Sequence, residues 1–514
     1  MSTNQRKRFP GAASFSDDRV SRALFFGRKE EMKTLQLQIA AHRLTTLFAR
    51  SGVGKTSLLA AGVSEELRVA SMLPLFIRLN DVNSQPMEIL YNCIGRECAR
   101  QGIDYVPGRA DGLWSFCKTT EFWREDVLLT PVLIFDQFEE IFTLQAAARR
   151  EILVSELSFV IRGVRPPTLE LKISGQNELA LLNEYPPDVR VLFSLREDFL
   201  PNLEELADRI PQVLDQRFRL LPLARTRAEE ALTCPASVDD ARLGLETRPF
   251  DITSDLRKLI LDFLSRQSPG VRASSRETVE PFQLQLICEH IEAIAARKQQ
   301  MSDATMVAVG TYDVRSEQDL MRVMRDYYMK KVRQVQGFRN RKRVVILCTE
   351  YLISAQGRRV RLEAEQIFQF QRLKEPVLDQ LVAAHLLRVD PVDGAKYYEL
   401  IHDSLIGAIL LRRRFVLVRR ILTSAVTILC LGLVAVALLM VLVVLPTVLV
   451  PYSEESDPAS REKTIGVALF FFFVGLILLR PVFQEWRTLR ANWFLYRRRQ
   501  WWTGKVVTRT KAGP

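Results

Sequence analysis

The sequence predicts an α/β protein: a parallel sheet built round a phosphate-binding loop, then a helical lid, a winged-helix module and two transmembrane α-helices. Three observations predict it. Gly52, Val53, Gly54, Lys55, Thr56 and Ser57 lie between an apolar run, Leu44–Phe48, and an amphipathic run, Ser57–Leu67. Strand-like and helical runs then alternate to about residue 225. Far downstream, Ile421–Leu445 is an uncharged stretch of 25 residues, long enough to cross a bilayer and too long for an ordinary core helix.

Taken in order, residues 1–22 are polar and read as a disordered tail ahead of a nucleotide domain at 23–235. Candidate strands are Leu44–Phe48, Leu73–Leu79, Val132–Phe135, Val189–Leu195 and Phe218–Leu223, separated by helices near 55–69, 86–101, 147–163 and 198–209. Such alternation implies a parallel sheet covered on both faces. Residues 236–335 read as helices, at Leu256–Arg266, Pro281–Arg297 and Ser316–Val335. Between 336 and 411, helices at Arg343–Ile353 and Val377–His385 precede two strand-like runs that flank the turn signal Asp390-Pro-Val-Asp-Gly394, a pattern that suggests a winged helix.

Residues 412–483 read as a membrane hairpin, with spans at about 421–445 and 464–483, and 484–514 as a basic, aromatic tail. The net charge of +12 sits almost wholly there: residues 411–514 carry 16 Lys/Arg against five Asp/Glu, and residues 1–410 carry 56 against 55. Arginines precede the first span and follow the second, while the loop between them is acid-rich. The positive-inside rule then puts both termini in the cytoplasm of a cell whose inner (plasma) membrane holds two spans. The tail suits a lipid interface, as a passive anchor or as an active element. With the remainder neutral, nucleic acid is not an expected partner. Seven scattered cysteines without a C-x-x-C pair fit free thiols in a reducing compartment.

The loop carries the chemistry. Its glycines let backbone N–H groups close on phosphates at a helix N-terminus, Lys55 reaches the β- and γ-phosphates, and the Thr56 hydroxyl ligates Mg²⁺. Ala49 stands where the first glycine of such loops is found. The apolar run Pro131–Phe135 ends in Asp136, with Glu139 and Glu140 just beyond. Asp136 is the candidate metal-site acid; Glu139 and Glu140 are both candidates for activating water, and the sequence does not choose between them. Arg196 ends another strand on the edge where ligands of open α/β sheets bind. It could sense a γ-phosphate or serve a surface salt bridge.

The order of these motifs resembles the STAND class of signal-transducing P-loop ATPases, in particular its bacterial novel STAND branch. The matching residues are Phe26-Gly-Arg-Lys-Glu-Glu31, the phosphate loop, Asp136-Gln-Phe-Glu-Glu140, Ser194-Leu-Arg-Glu-Asp198, Leu220-Leu-Pro-Leu-Ala-Arg225 and Tyr398-Glu-Leu-Ile-His-Asp-Ser-Leu405. The resemblance implies a P-loop NTPase with a lid and a winged helix closed over ADP, His402 touching the ADP phosphates, and Pro281 packing on adenine. It also implies slow hydrolysis of ATP, and self-association into a homo-oligomer once an unknown protein or ligand stimulus drives exchange of ADP for ATP. The expected function is therefore a membrane-anchored ATP/ADP switch, with signalling or membrane-effector output in the manner of prokaryotic defence. A membrane-tethered ATPase acting on protein partners and a tethered winged-helix regulator are the alternatives.

Overall fold

In a computed structural model, the described residues are 6–410, apart from 82–83, 109–110, 171–184, 268–277, 303–305, 355–358, 385, 393–394, 401–405 and 407–408. The chain divides into two compact units, Met1–Leu410 and Leu411–Pro514. The second unit, with both expected spans and the basic tail, lies outside the described residues, and so does His402. Among the described residues no helix is long and apolar enough to cross a membrane.

The central sheet has five strands: β1 (Leu44–Ala49), β2 (Met72–Ile77), β3 (Thr130–Asp136), β4 (Arg190–Arg196) and β5 (Arg217–Arg219). They lie in the order β2-β3-β4-β1-β5, and every pairing is parallel. Buried apolar residues alternate between its faces. Val132 and Ile134 of β3 join one core cluster with Leu47, Leu58 and Leu192, while Leu133 and Phe135 join the other with Leu75, Val191 and Phe193. Both faces of a parallel sheet are covered, so its strands read as continuous apolar runs. That is why β1 to β4 were legible; β5 is Arg217-Phe218-Arg219, and only Phe218 and Arg219 of the expected run Phe218–Leu223 lie in it.

The helix after β1 opens at Lys55–Ser57, passes through a π-helical stretch, Leu58–Val63, and ends as Ser64–Val69. The expected helix near 198–209 is shorter, a 3₁₀ turn at Glu197–Phe199 followed by Leu200–Glu204. A small antiparallel sheet of Asp104–Val106, Glu121–Arg124 and Val127–Leu128 is inserted before β3.

Beyond β5 the lid is helical, with Arg225–Ser237, Ser254–Gln267, Pro281–Met301 and Glu317–Gln334 as its main helices. The expected domain boundary at 235 falls inside the first of these. Ala228, Leu232 and Ala236 belong to the lid core, so packing divides the modules near β5 instead. The C-terminal part runs from helix Phe338–Ile346 through β6 (Leu362–Glu363), helices Ala364–Gln371 and Glu375–Ala383, then β7 (Leu387–Val392) and β8 (Ala395–Leu400). These strands form an antiparallel sheet in the order β6-β8-β7. The expected turn at 390–394 is narrower, because β7 continues through Pro391, which pairs with Lys396. Lid and C-terminal sheet share one hydrophobic core, so no packing boundary lies at 335.

The expectation of a disordered tail at 1–22 is corrected over residues 6–22; residues 1–5 lie outside the described residues. Arg8 and Phe9 are fully buried, and Arg19–Ala23 is helical. The Arg8 guanidinium donates to Thr247 Oγ1 and to the carbonyls of Pro235, Val238 and Thr247 at 2.7–2.9 Å. The buried Glu292 carboxylate accepts the Arg8 and Phe9 N–H groups at 2.8 and 3.1 Å. Phe15 N–H then donates to Ser57 Oγ at 3.1 Å. A polar segment is thus ordered by bonds to residues more than 200 positions away, which no local pattern reveals.

A candidate nucleotide site at the carboxyl edge of the sheet

The loop between β1 and its helix has the geometry that phosphate binding requires. Gly52 and Gly54 have φ of 85° and 99°, values that only glycine adopts without strain. Gly54 precedes the helix in a left-handed conformation, and no side chain caps the opening turn. Its N–H groups therefore suit an anion. Ala49 is not a defect here. It is the last residue of β1, paired with Arg196 of β4, so the chain is still extended where a loop glycine was expected.

Val53 is buried and its carbonyl accepts from Arg28, 5% exposed, at 3.2 Å. Arg28 also pairs with Glu31 at 2.7 Å, which gives the Phe26–Glu31 motif a bracing role on the loop. Arg50 reaches Glu280 of the lid at 2.6 Å, one residue before Pro281. Burial lowers the pKa of the Lys55 ammonium, against the opposing pull of Glu139 and Asp136.

Asp136, 2% exposed, ends β3 opposite Ser194 of β4. Its carboxylate accepts from Thr56 Oγ1 at 3.0 and 3.2 Å and from Ser194 Oγ at 3.3 Å. Arg78, just past the end of β2, donates to Asp136 Oδ2 at 2.6 Å. A threonine hydroxyl beside a buried aspartate is a hard oxygen pair at the loop's end. It fits Mg²⁺, which takes one or two protein oxygens and completes its shell with phosphates and water.

Gln137 then turns the chain with φ 59°. Phe138 N–H donates to Ser194 O at 2.8 Å, and the Phe138 ring stacks on Phe193 at 4.0 Å. That turn separates the two glutamates. Glu139 is 3% exposed and accepts the Arg196 N–H at 3.3 Å. Glu140 Oε2 is buried without a hydrogen-bond partner among the described residues. Burial raises the Glu140 carboxyl to about 7, partly offset by Arg78, with Glu139 adding to the rise.

Arg196, 4% exposed, turns towards the C-terminal sheet. It donates to both Asp198 oxygens and pairs with Glu399 at 3.0 Å. Burial raises the Asp198 carboxyl, but the Arg196 hydrogen bond and charge outweigh it and hold it below the usual range. Glu399 of β8 stands opposite Arg388 of β7, and Arg388 approaches Glu139 at 3.5 Å. The guanidinium groups of Arg196 and Arg388 lie 5.5 and 5.8 Å from the centre of the Phe199 ring. A cross-strand Arg–Glu pair therefore meets a Glu–Arg pair at the sheet edge as a four-charge clasp.

The structure brings together Gly52 to Ser57, Asp136, Glu139, Glu140 and Arg196. Arg28, Arg50, Arg78, Arg388 and Glu399 had no role assigned from sequence. Arg78 was findable by the reasoning that found Arg196, a charge closing an apolar strand. Arg388 and Glu399 needed the hairpin register.

Residues 9–255 match the family model described as Novel STAND NTPase 1. No curated protein matches the chain. Among solved structures the chain is similar to the Walker-type ATPase paby2304 of Pyrococcus abyssi, at 11% identity over 77% of this chain and 97% of that one, with a TM-score of 0.35. It is also similar to the ORC2 protein of Aeropyrum pernix, solved as ADPNP–ADP complexes, at 13% identity over 80% and 99%, with a TM-score of 0.36. Over residues 9–255 the chain is similar to the novel STAND NTPases, and its loop, sheet order and acidic strand end are those of a P-loop nucleotide-binding module.

Proposed function

We propose that the chain is a membrane-anchored switch that is closed with ADP and opens with ATP. The four-charge clasp carries this reading. Lys55 and the loop N–H groups bind the phosphates, and Thr56 and Asp136 hold Mg²⁺, which would neutralise charge on the β- and γ-phosphates. Glu139 activates water, and in the closed state Arg388 occupies one of its oxygens. Arg196 senses the γ-phosphate, and in the closed state Glu399 and Asp198 occupy it. Hydrolysis is therefore slow until the C-terminal sheet withdraws.

Helix, strand, two helices and a two-stranded hairpin follow the order of a winged helix, and we read residues 338–400 as that module. His402, directly beyond β8, serves as its contact to ADP, and Pro281 packs on adenine. Opening drives self-association, and the apolar hairpin of 412–483 conveys it to the bilayer, in the manner of a defence effector. The near-neutral charge of residues 1–410 favours this output over DNA binding.

Sedimentation of the detergent-solubilised full chain tests the reading. ATP is expected to produce a larger species than ADP does, and Lys55→Ala is expected to abolish the difference. Identical assembly by Lys55→Ala would sink the mechanism.

A further inference from the structure

One carboxylate oxygen at the end of β3 has two donors on it. Asp136 Oδ2 lies 3.0 Å from Thr56 Oγ1 and 2.6 Å from Arg78 Nη2. The Thr56 contact marks where the divalent cation of a nucleotide complex would sit. A guanidinium held on the same oxygen would face that cation across a few ångströms of partly buried space, where like charges repel strongly. Arg78 has somewhere else to go. Its side chain is 42% exposed, so it can swing, and its charge already bears on Glu140. The Glu140 Oε2 atom is buried and has no hydrogen-bond partner among the described residues. Glu139 offers no such place, since its two oxygens face Arg196 N–H and Arg388.

We propose that Arg78 is a positioning residue that holds Asp136 until a divalent cation arrives and then passes to Glu140, so that Arg78 and Glu140 together set the affinity for the cation. Glu140 is then the receiver of Arg78, and water activation falls to Glu139. The exchange trades one ion pair for another and moves no covalent bond; a Glu140 that carries a proton releases it to solvent as Arg78 arrives. It rests on the nucleotide reading above, because the cation arrives with a nucleotide.

Mn²⁺ titration of the full chain with saturating ADP, reading unbound Mn²⁺ by electron paramagnetic resonance, tests it. Fluorescence of a labelled ADP in EDTA serves as the control for nucleotide binding. Arg78→Gln is expected to bind Mn²⁺ about tenfold more tightly than wild type, and Glu140→Gln about tenfold more weakly, the usual size of an effect one shell from a metal. Thermal melts of each variant show that it is folded. If wild type binds labelled ADP but Arg78→Gln holds Mn²⁺ no more tightly, this inference is overturned alone. If wild type binds no ADP, the nucleotide reading fails and takes this inference with it.

Discussion

Arg196 is shared by two carboxylates, Asp198 and Glu399, and is itself almost fully buried. Removing one partner of a buried ion pair costs far more than the pair is worth against an apolar replacement. Arg196→Ala is therefore expected to destabilise residues 1–410 by about 2–4 kcal/mol in chemical denaturation. Arg388→Ala acts differently. Its contact to Glu139 is longer, at 3.5 Å, and its side chain is 20% exposed. Its expected effect is a small loss of stability with a rise in single-turnover ATP hydrolysis, as Glu139 is released; unchanged hydrolysis would count against the clasp. Glu140 sets a pH dependence. Its folded-state pKa is raised from 4.5 to about 7, so the folded state binds the extra proton and stability falls as pH rises between those values. Glu140→Gln should melt above wild type at pH 8, by an amount of order 1–3 kcal/mol, and the gap should close below about pH 4.5.

At the scale of elements, the N-terminal strap links the lid to the helix that follows the phosphate loop. Arg8 satisfies three carbonyls and a threonine hydroxyl in the interior. Arg8→Ala leaves those acceptors buried without their donor, so a loss of about 3 kcal/mol is expected in denaturant titration. A variant as stable as wild type would mean the strap is dispensable. Strands β1 to β4 were legible because each is an apolar run bounded by turns, and the loop was legible because Gly54-Lys55-Thr56 follows one of them. The strap was not, because its composition is polar and its partners are distant in sequence. β6 and the inserted small sheet were missed for another reason: strands of two to four residues carry too few alternations to register. In the site, single motifs were legible and pairings were not. Thr56–Asp136 followed from two motifs. Arg196–Glu399 required knowing that the hairpin brings the Glu399 side chain to the end of β4.

At the scale of the molecule, the candidate nucleotide site is bordered by the sheet edge, the lid through Glu280, and the C-terminal hairpin through Arg388 and Glu399. A ligand that changes one of these contacts biases the others only if it binds the open and closed forms unequally. In the proposed switch a γ-phosphate would do so by drawing Arg196 from Glu399. Hydrogen exchange of residues 387–400 reads that competition most directly. The β7–β8 hairpin is expected to be protected with ADP and to lose protection with ATP in wild type, while Lys55→Ala stays protected with either nucleotide. Equal protection of the wild-type hairpin with ADP and with ATP would contradict the claim that nucleotide state opens the clasp.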